Sequence, residues 1–138
     1  MNQFLIPFNI NFYDAIKAYE KLDEIDWNIR TKMNIGDEVY FYCSNPIKKI
    51  LLKGVVTDIN IEFDNMIEDS EFYINKSDLK NGDGKRYTRI RKIVKLPLEM
   101  TDLLTLDLLR ENGLKGNIQS TQMINKNKEL FEYINSIY

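Results

Sequence analysis

The most constraining stretch of this chain is MNIGDEVYFYCSNPIKKILLKGVVTDI, which reads as turn, strand, turn, strand. Gly36-Asp37 is turn chemistry, and the aromatic and β-branched run Glu38 to Cys43 that follows suits a strand. Its alternation places Val39, Phe41 and Cys43 on one face and Tyr40, Tyr42 and Ser44 on the other. The first face is core-like. After Ser44-Asn45-Pro46, a second strand runs from Ile50 to Ile59, interrupted at Gly54, where a small barrel can bend. Two strands so close in sequence predict a hairpin.

The flanks supply further elements. Gln3 to Phe8 reads as a first strand with Pro7 at an edge or exit. Tyr13, Ile16, Ala18, Tyr19 and Leu22 fall near helical spacing, with Asn11 or Asp14 available to cap, so a helix is expected to end before Ile25. The segment Asp26 to Glu38 reads as a polar approach carrying the lone Trp27. Past Ile61 an acidic loop with a short strand at Phe72 to Ile74 is expected, then a turn at Asn81-Gly82-Asp83-Gly84 and a strand from Tyr87 to Leu96 closed by Pro97. Thr105 to Glu111 reads as a short helix stopped at Asn112-Gly113, and Asn125 to Tyr138 as a terminal helix. Strands grouped centrally with helices at the edges indicate the α+β class, with a curled antiparallel or mixed sheet.

At 138 residues the chain is expected to be one domain, 1–138, and its 43% hydrophobic content supports a packed interior. No apolar run reaches the roughly 20 residues of a membrane span, and the opening lacks signal-peptide features, so a cytoplasmic location is expected. A single cysteine, Cys43, and no histidine argue against zinc and remove the usual proton carrier of neutral-pH catalysis. No cofactor is expected. Asp14, Asp37 and Asp58 are scattered over turns and helix starts rather than spaced as in a nuclease, which favours binding over catalysis. The net charge of −2 hides a segregation: Asp58 to Glu71 carries six acids and no base, and Lys85 to Lys95 carries six bases and no acid.

Three motifs in order resemble the EVE branch of the PUA-like superfamily, which is related to YTH domains. FLIPFNINFYD is similar to the family's opening strand and first helix start; DWNIR followed by MNIGDEVYFYCSNPIKKILLKGVVTDI is similar to its central block; ENGLKGNIQSTQMIN and KELFEYI are similar to its closing loop and helix. The likeness covers nearly the whole chain, except for the acidic segment Glu62 to Glu71. It implies a small curled barrel flanked by helices that receives one flipped base, often a modified one, without catalysis. It also implies a nucleic-acid partner, with methylated or hydroxymethylated DNA ahead of RNA, in a restriction or anti-phage setting. A nuclease or motor domain in the same or a partner chain would accompany such a reader, and no membrane is involved. A YTH-like RNA module or a protein-interaction domain is the alternative.

A base pocket needs flat stacking surfaces and a few directed polar groups. Trp27 is the leading stacking candidate, against the alternative that a sole tryptophan fills core. Tyr42 and Ser44 share a strand face and are expected beside it, while Tyr40 reads as a structural tyrosine. Asn9 carries donor and acceptor for a base edge, or else serves a turn. Asn117 and Gln119 in the late loop are further pocket candidates, and Asn45 suits a turn before Pro46. Arg30, Lys48, Arg89 and Arg91 are the candidate phosphate contacts, with Lys49 and Tyr87 nearby in sequence.

Overall fold

The computed structural model describes residues 1–75, 84–95 and 98–137. Its centre is the predicted strand β3 (Glu38–Cys43), which pairs in parallel with β1 (Gln3–Phe8) and antiparallel with β4 (Lys49–Ile61). The first register runs from Gln3 opposite Glu38 to Phe8 opposite Cys43. β5 (Tyr87–Lys95) pairs antiparallel with β4, and the short β2 (Glu24–Trp27) pairs antiparallel with β5. The two-residue β6 (Gln122–Met123) lies on the other side of β1, giving the order β2-β5-β4-β3-β1-β6 among the described residues. This is the α+β class with a mixed sheet. The hydrogen bonding does not close it, because β2 and β6 form its two ends.

β4 exceeds the expected Ile50 to Ile59 at both ends and is bent by register shifts at Lys53/Gly54, Val56/Asp58 and Asp58/Ile61, which increase local twist. Gly54 permits one of them: a Cβ there would lie 2.6 Å from Cγ2 of Ile90 and 2.9 Å from the carbonyl oxygen of Arg91. The β5 backbone therefore passes where any other residue would place carbon.

Helix α1 (Ala15–Lys21) starts at Asp14, whose carboxylate accepts the backbone N–H of Lys17 at 3.0 Å. A short α2 (Leu98–Thr101) precedes α3 (Leu106–Glu111), capped by the Thr105 hydroxyl, and α4 (Lys128–Ile137) ends the described chain. Both faces of the sheet are buried. Phe4, Ile6, Tyr19, Ile25, Phe41 and Ile90 pack on the α1 side; Leu5, Tyr40, Tyr42, Ile50, Leu109 and Leu130 pack beneath α3 and α4. Burial of each large apolar side chain contributes roughly 1.5–3 kcal/mol.

Three expectations change here. The second face of β3 is a second core and not a ligand surface, because a central strand covered by helices on both sides buries alternate residues equally. Phe72 to Ile74 is not a strand; the acidic segment instead forms turns at Phe63–Asn65 and Ser70–Phe72, with a single bridge between Tyr13 and Tyr73. β2 was not separable from the polar approach. The expected turn at residues 81–83, the end of the β5 reading at Leu96 and its closure by Pro97 lie outside the described residues.

Candidate nucleic-acid interface

Where β1 and β2 end side by side in the fold, the chain leaves a cavity of about 290 Å³. The exit of β1 supplies Pro7, Phe8 and Asn9, and the approach to α1 supplies Phe12 and Tyr13. β2 and its exit supply Trp27 and Asn28, while Tyr73, Lys85 and Tyr87 complete the wall. Phe12 is 59% exposed, unusual for an aromatic residue beside a core.

Trp27 fills both roles that the sequence left open. It is partly buried against the core, with its ring 4.9 Å from that of Phe41, and it also lines the cavity. Its indole N–H donates to the Tyr19 hydroxyl at 2.9 Å, and that hydroxyl donates to the carbonyl of Ile90 at 3.0 Å. Tyr13 packs edge-on to Trp27 with centroids 5.7 Å apart and to Tyr73 at 4.7 Å, so three aromatic rings hold one another at set angles.

The Tyr13 hydroxyl donates to the buried Asp69 carboxylate at 2.7 Å. Burial first, and the Asp69 charge second, push the Tyr13 phenol above its ordinary range, so it stays neutral. Asn9 keeps the turn role: its Oδ1 accepts the N–H of Asn11 at 2.9 Å, and its carbonyl accepts those of Phe12 and Tyr13. Its amide NH₂ has no partner among the described residues, which leaves a donor at the cavity wall.

The remaining candidates separate from this group. Tyr42 is 3% exposed in the second core cluster, on the other side of β3 from Phe41 and Trp27, and does not line the cavity in which the sequence predicts it. Tyr40 is buried beside it, as a structural tyrosine. Ser44 donates its backbone N–H to Phe8 but does not line the cavity, and Asn45 lies in the exposed turn that follows β3. Asn117 is exposed and accepts from Arg110; Gln119 is exposed; neither lines the cavity. The late loop does approach through its neighbours Ser120 and Thr121, which share a cleft with Trp27 and Asn28.

Arg89 is taken up by the Asp26 carboxylate, at 2.9 Å from Nε and 3.0 Å from Nη2, and so is not a free phosphate contact. Arg91 is exposed on the same strand face, opposite the face shared by Ile90, Ile25 and Trp27. Lys48 is in the turn after β3, where its carbonyl accepts the N–H of Leu106, and Lys49 pairs with Asp102 at 2.6 Å. Of the predicted cations, Arg30 alone stands by the cavity, in the cleft that adjoins it.

Phe12, Tyr13, Tyr73 and Lys85 were not among the predicted pocket residues. Phe12 carried a signal, an aromatic among Asn9, Asn11 and Asp14 that fits no helical period. Tyr73 carried a weaker one, within the pair Phe72-Tyr73 that directly follows the acidic run.

No family model matches the chain, and no curated protein matches it. Solved structures do. ASCH from Zymomonas mobilis superposes with a TM-score of 0.65 at 15% identity, covering 98% of this chain and 94% of that one. A Pseudomonas putida protein gives 0.63 at 17% identity, covering 98% of each chain. A hypothetical protein from Leishmania major gives 0.62 at 15% identity, covering 99% of this chain and 94% of that one. At these identities the likeness establishes the fold alone: an α+β domain whose mixed sheet is shared with these structures.

Proposed function

We propose that this chain is a nucleic-acid-binding PUA-like domain that takes one unpaired base into the cavity beside Trp27. The carrying observation is the pre-set aromatic wall: a partly buried indole fixed by Tyr19, with Tyr13 and Tyr73 at defined angles beside it, open to exposed Phe12 and Lys85. Stacking on such a surface is general to all bases, and the Asn9 amide supplies a donor for a base edge. Lys85 adds a cation at the rim.

The finer reading is an EVE-type reader of a modified base. It rests on the order of motifs around Trp27 and Gly36-Asp37 together with this apolar wall, against which an added methyl group would gain contact. In this reading the domain binds and does not cleave, since Tyr13 is held neutral by burial and Asp69 and the chain carries no histidine. Cleavage or translocation belongs to a nuclease or motor domain in the same or a partner chain.

Trp27 is the sole tryptophan, so its emission reports directly on the cavity. Titration with short RNA and DNA strands of one sequence, unmodified or bearing 5-methylcytosine, 5-hydroxymethylcytosine or N6-methyladenine, should quench it, with one modified strand bound tightest. Trp27→Ala, which has no tryptophan and is therefore read by the anisotropy of a dye-labelled strand, should weaken that strand about 5- to 150-fold, the equivalent of one lost stack of about 1–3 kcal/mol. Absence of quenching by every strand sinks the reading; equal affinity for all of them sinks the modified-base form.

A further inference from the structure

We infer that a single-stranded polynucleotide leaves the cavity along the segment from Asn28 to Met33, with its phosphates held by Arg30, Lys32 and Arg86. This rests on the base-binding reading above and adds the path and strandedness of the ligand. The path is continuous. Pro7, Trp27 and Asn28 line the cavity and also a second cleft, which runs on past Ile29, Arg30 and Thr31. Those last three residues bound a third cleft as well, which reaches Lys32 and Arg86 and touches the cavity again at Tyr87.

The cations on this path are available. Arg30 and Lys32 are exposed and make no ion pair or hydrogen bond among the described residues. Arg86 faces Glu62 at 3.9 Å with both side chains about half exposed, at 48% and 63%, a pair that water screens and a phosphate can displace. Arg89 and Arg91, the bases that sequence favours, lack this combination of position and freedom. With a net charge of −2 the rest of the surface offers little non-specific attraction, so affinity beyond the base and the Lys85 cation at its rim must come from these three groups.

The adjoining cleft disfavours a second strand. The cleft lined by Arg30 and Arg86 shares Ile59 and Asn60 with another that is lined by Asp58 and Glu62, where the acidic segment begins. Carboxylates there repel a second phosphate backbone, and a paired base cannot enter the cavity without leaving its partner.

The test is a Trp27 fluorescence titration of the whole chain with a nucleoside monophosphate and with single strands of increasing length, as RNA and as DNA, beside a blunt duplex. Affinity should rise with length and then level. The slope of log affinity against log salt should be about −2 for three single-strand contacts, roughly a 20-fold loss between about 50 and 200 mM salt. Arg30→Gln, Lys32→Gln and Arg86→Gln together should bring both the slope and the affinity of the longer strands down to those of the monophosphate, which Lys85 still faces and whose quenching stays. Arg91→Gln should leave the slope unchanged. A triple variant with an unaltered slope, or a duplex that binds as tightly as a single strand, overturns the path while base binding stands. Absence of quenching by monophosphate and strand alike overturns base binding, and the path with it. Either RNA or DNA satisfies the path, and the parallel arms identify which polymer is held.

Discussion

The indole N–H of Trp27 is hydrogen-bonded to the hydroxyl of Tyr19, a residue 1% exposed that itself holds the carbonyl of Ile90 on β5. The cavity wall is thereby tied to helix α1 and the sheet at once. A ring positioned before a ligand arrives loses less entropy when it stacks. Tyr19→Phe keeps the ring volume and removes both bonds, leaving a carbonyl and an indole N–H without their partner. Stability should fall by about 1–3 kcal/mol in urea denaturation, Trp27 emission should shift to the red, and nucleotide quenching should weaken. Unchanged emission and affinity would show that packing against Phe41 alone sets the ring.

Asp26, next in sequence to Trp27, is fully buried and takes three hydrogen bonds: two from Arg89 and one from the backbone N–H of Ile67 at 2.8 Å. Arg89 also donates to the carbonyl of Asn65 at 3.2 Å. These bonds clamp the acidic segment to β2 and β5, and that segment supplies Asp69 to Tyr13 and Tyr73 to the cavity. Asp26→Ala strands the guanidinium and the amide together. With Arg89 about a quarter exposed, the cost should be about 2–4 kcal/mol, just under the range for breaking a fully buried pair. Hydrogen exchange should accelerate across residues 62–73, and Asp26→Asn, which keeps an acceptor, should be milder. Equal exchange in wild type and Asp26→Ala would separate the clamp from the segment.

The fold was legible where one face of an element repeats its neighbours. The six-residue pattern of β3, a cap for α1 at Asn11 or Asp14 and the short helix that begins at Thr105 could all be read locally. β2 could not: four residues, Glu24–Trp27, gain strand character only by pairing with β5, more than sixty positions away. The site divides the same way. Trp27 and Asn9 were readable as flat and polar groups beside turns, whereas Tyr42 was misplaced because alternation gives two faces and says nothing about which one helices will cover. Arg89 looked like a free base because its partner Asp26 is distant in sequence. The basic run is met at that point by Asp26 of β2 and not by the acidic run, which residue order alone does not show.

Gly54 combines a sequence expectation with a measurable clearance. A methyl group at this position meets Ile90 at 2.6 Å, the Arg91 carbonyl at 2.9 Å and the Phe41 ring at 3.2 Å, two of which belong to β5. The Ile90 side chain can rotate, but the carbonyl can retreat only by moving its strand. Gly54→Ala should therefore destabilise the domain by about 1–3 kcal/mol, in line with overpacked cores, read as a lower urea midpoint. Because Ile90 also accepts from Tyr19, Trp27 emission should change with it. A midpoint at or above wild type would mean that β4 and β5 separate more easily than their pairing suggests.

Alkaline pH should unfold this protein through groups that are buried in their neutral forms. Burial pushes the Cys43 thiol up to about 11 and raises the Tyr13 and Tyr19 phenols above their ordinary range, Tyr13 also by the neighbouring Asp69 charge. Each raised group keeps its proton in the fold at a pH where the unfolded chain has released it. The unfolded state then binds fewer protons, so stability falls as pH rises. The contribution is fully present below the ordinary thiol value of 9.0 and is lost as pH climbs through about 11. The melting temperature should be level from about pH 7 to 8.5 and drop steadily above about pH 9. Cys43→Ala should flatten the first part of that drop, the tyrosines sustaining the remainder. At about pH 8 the native thiol should resist alkylation until urea is added, since only the exposed thiolate reacts. A melting temperature constant to about pH 10.5, or rapid native labelling of Cys43, would contradict a core closed around the end of β3.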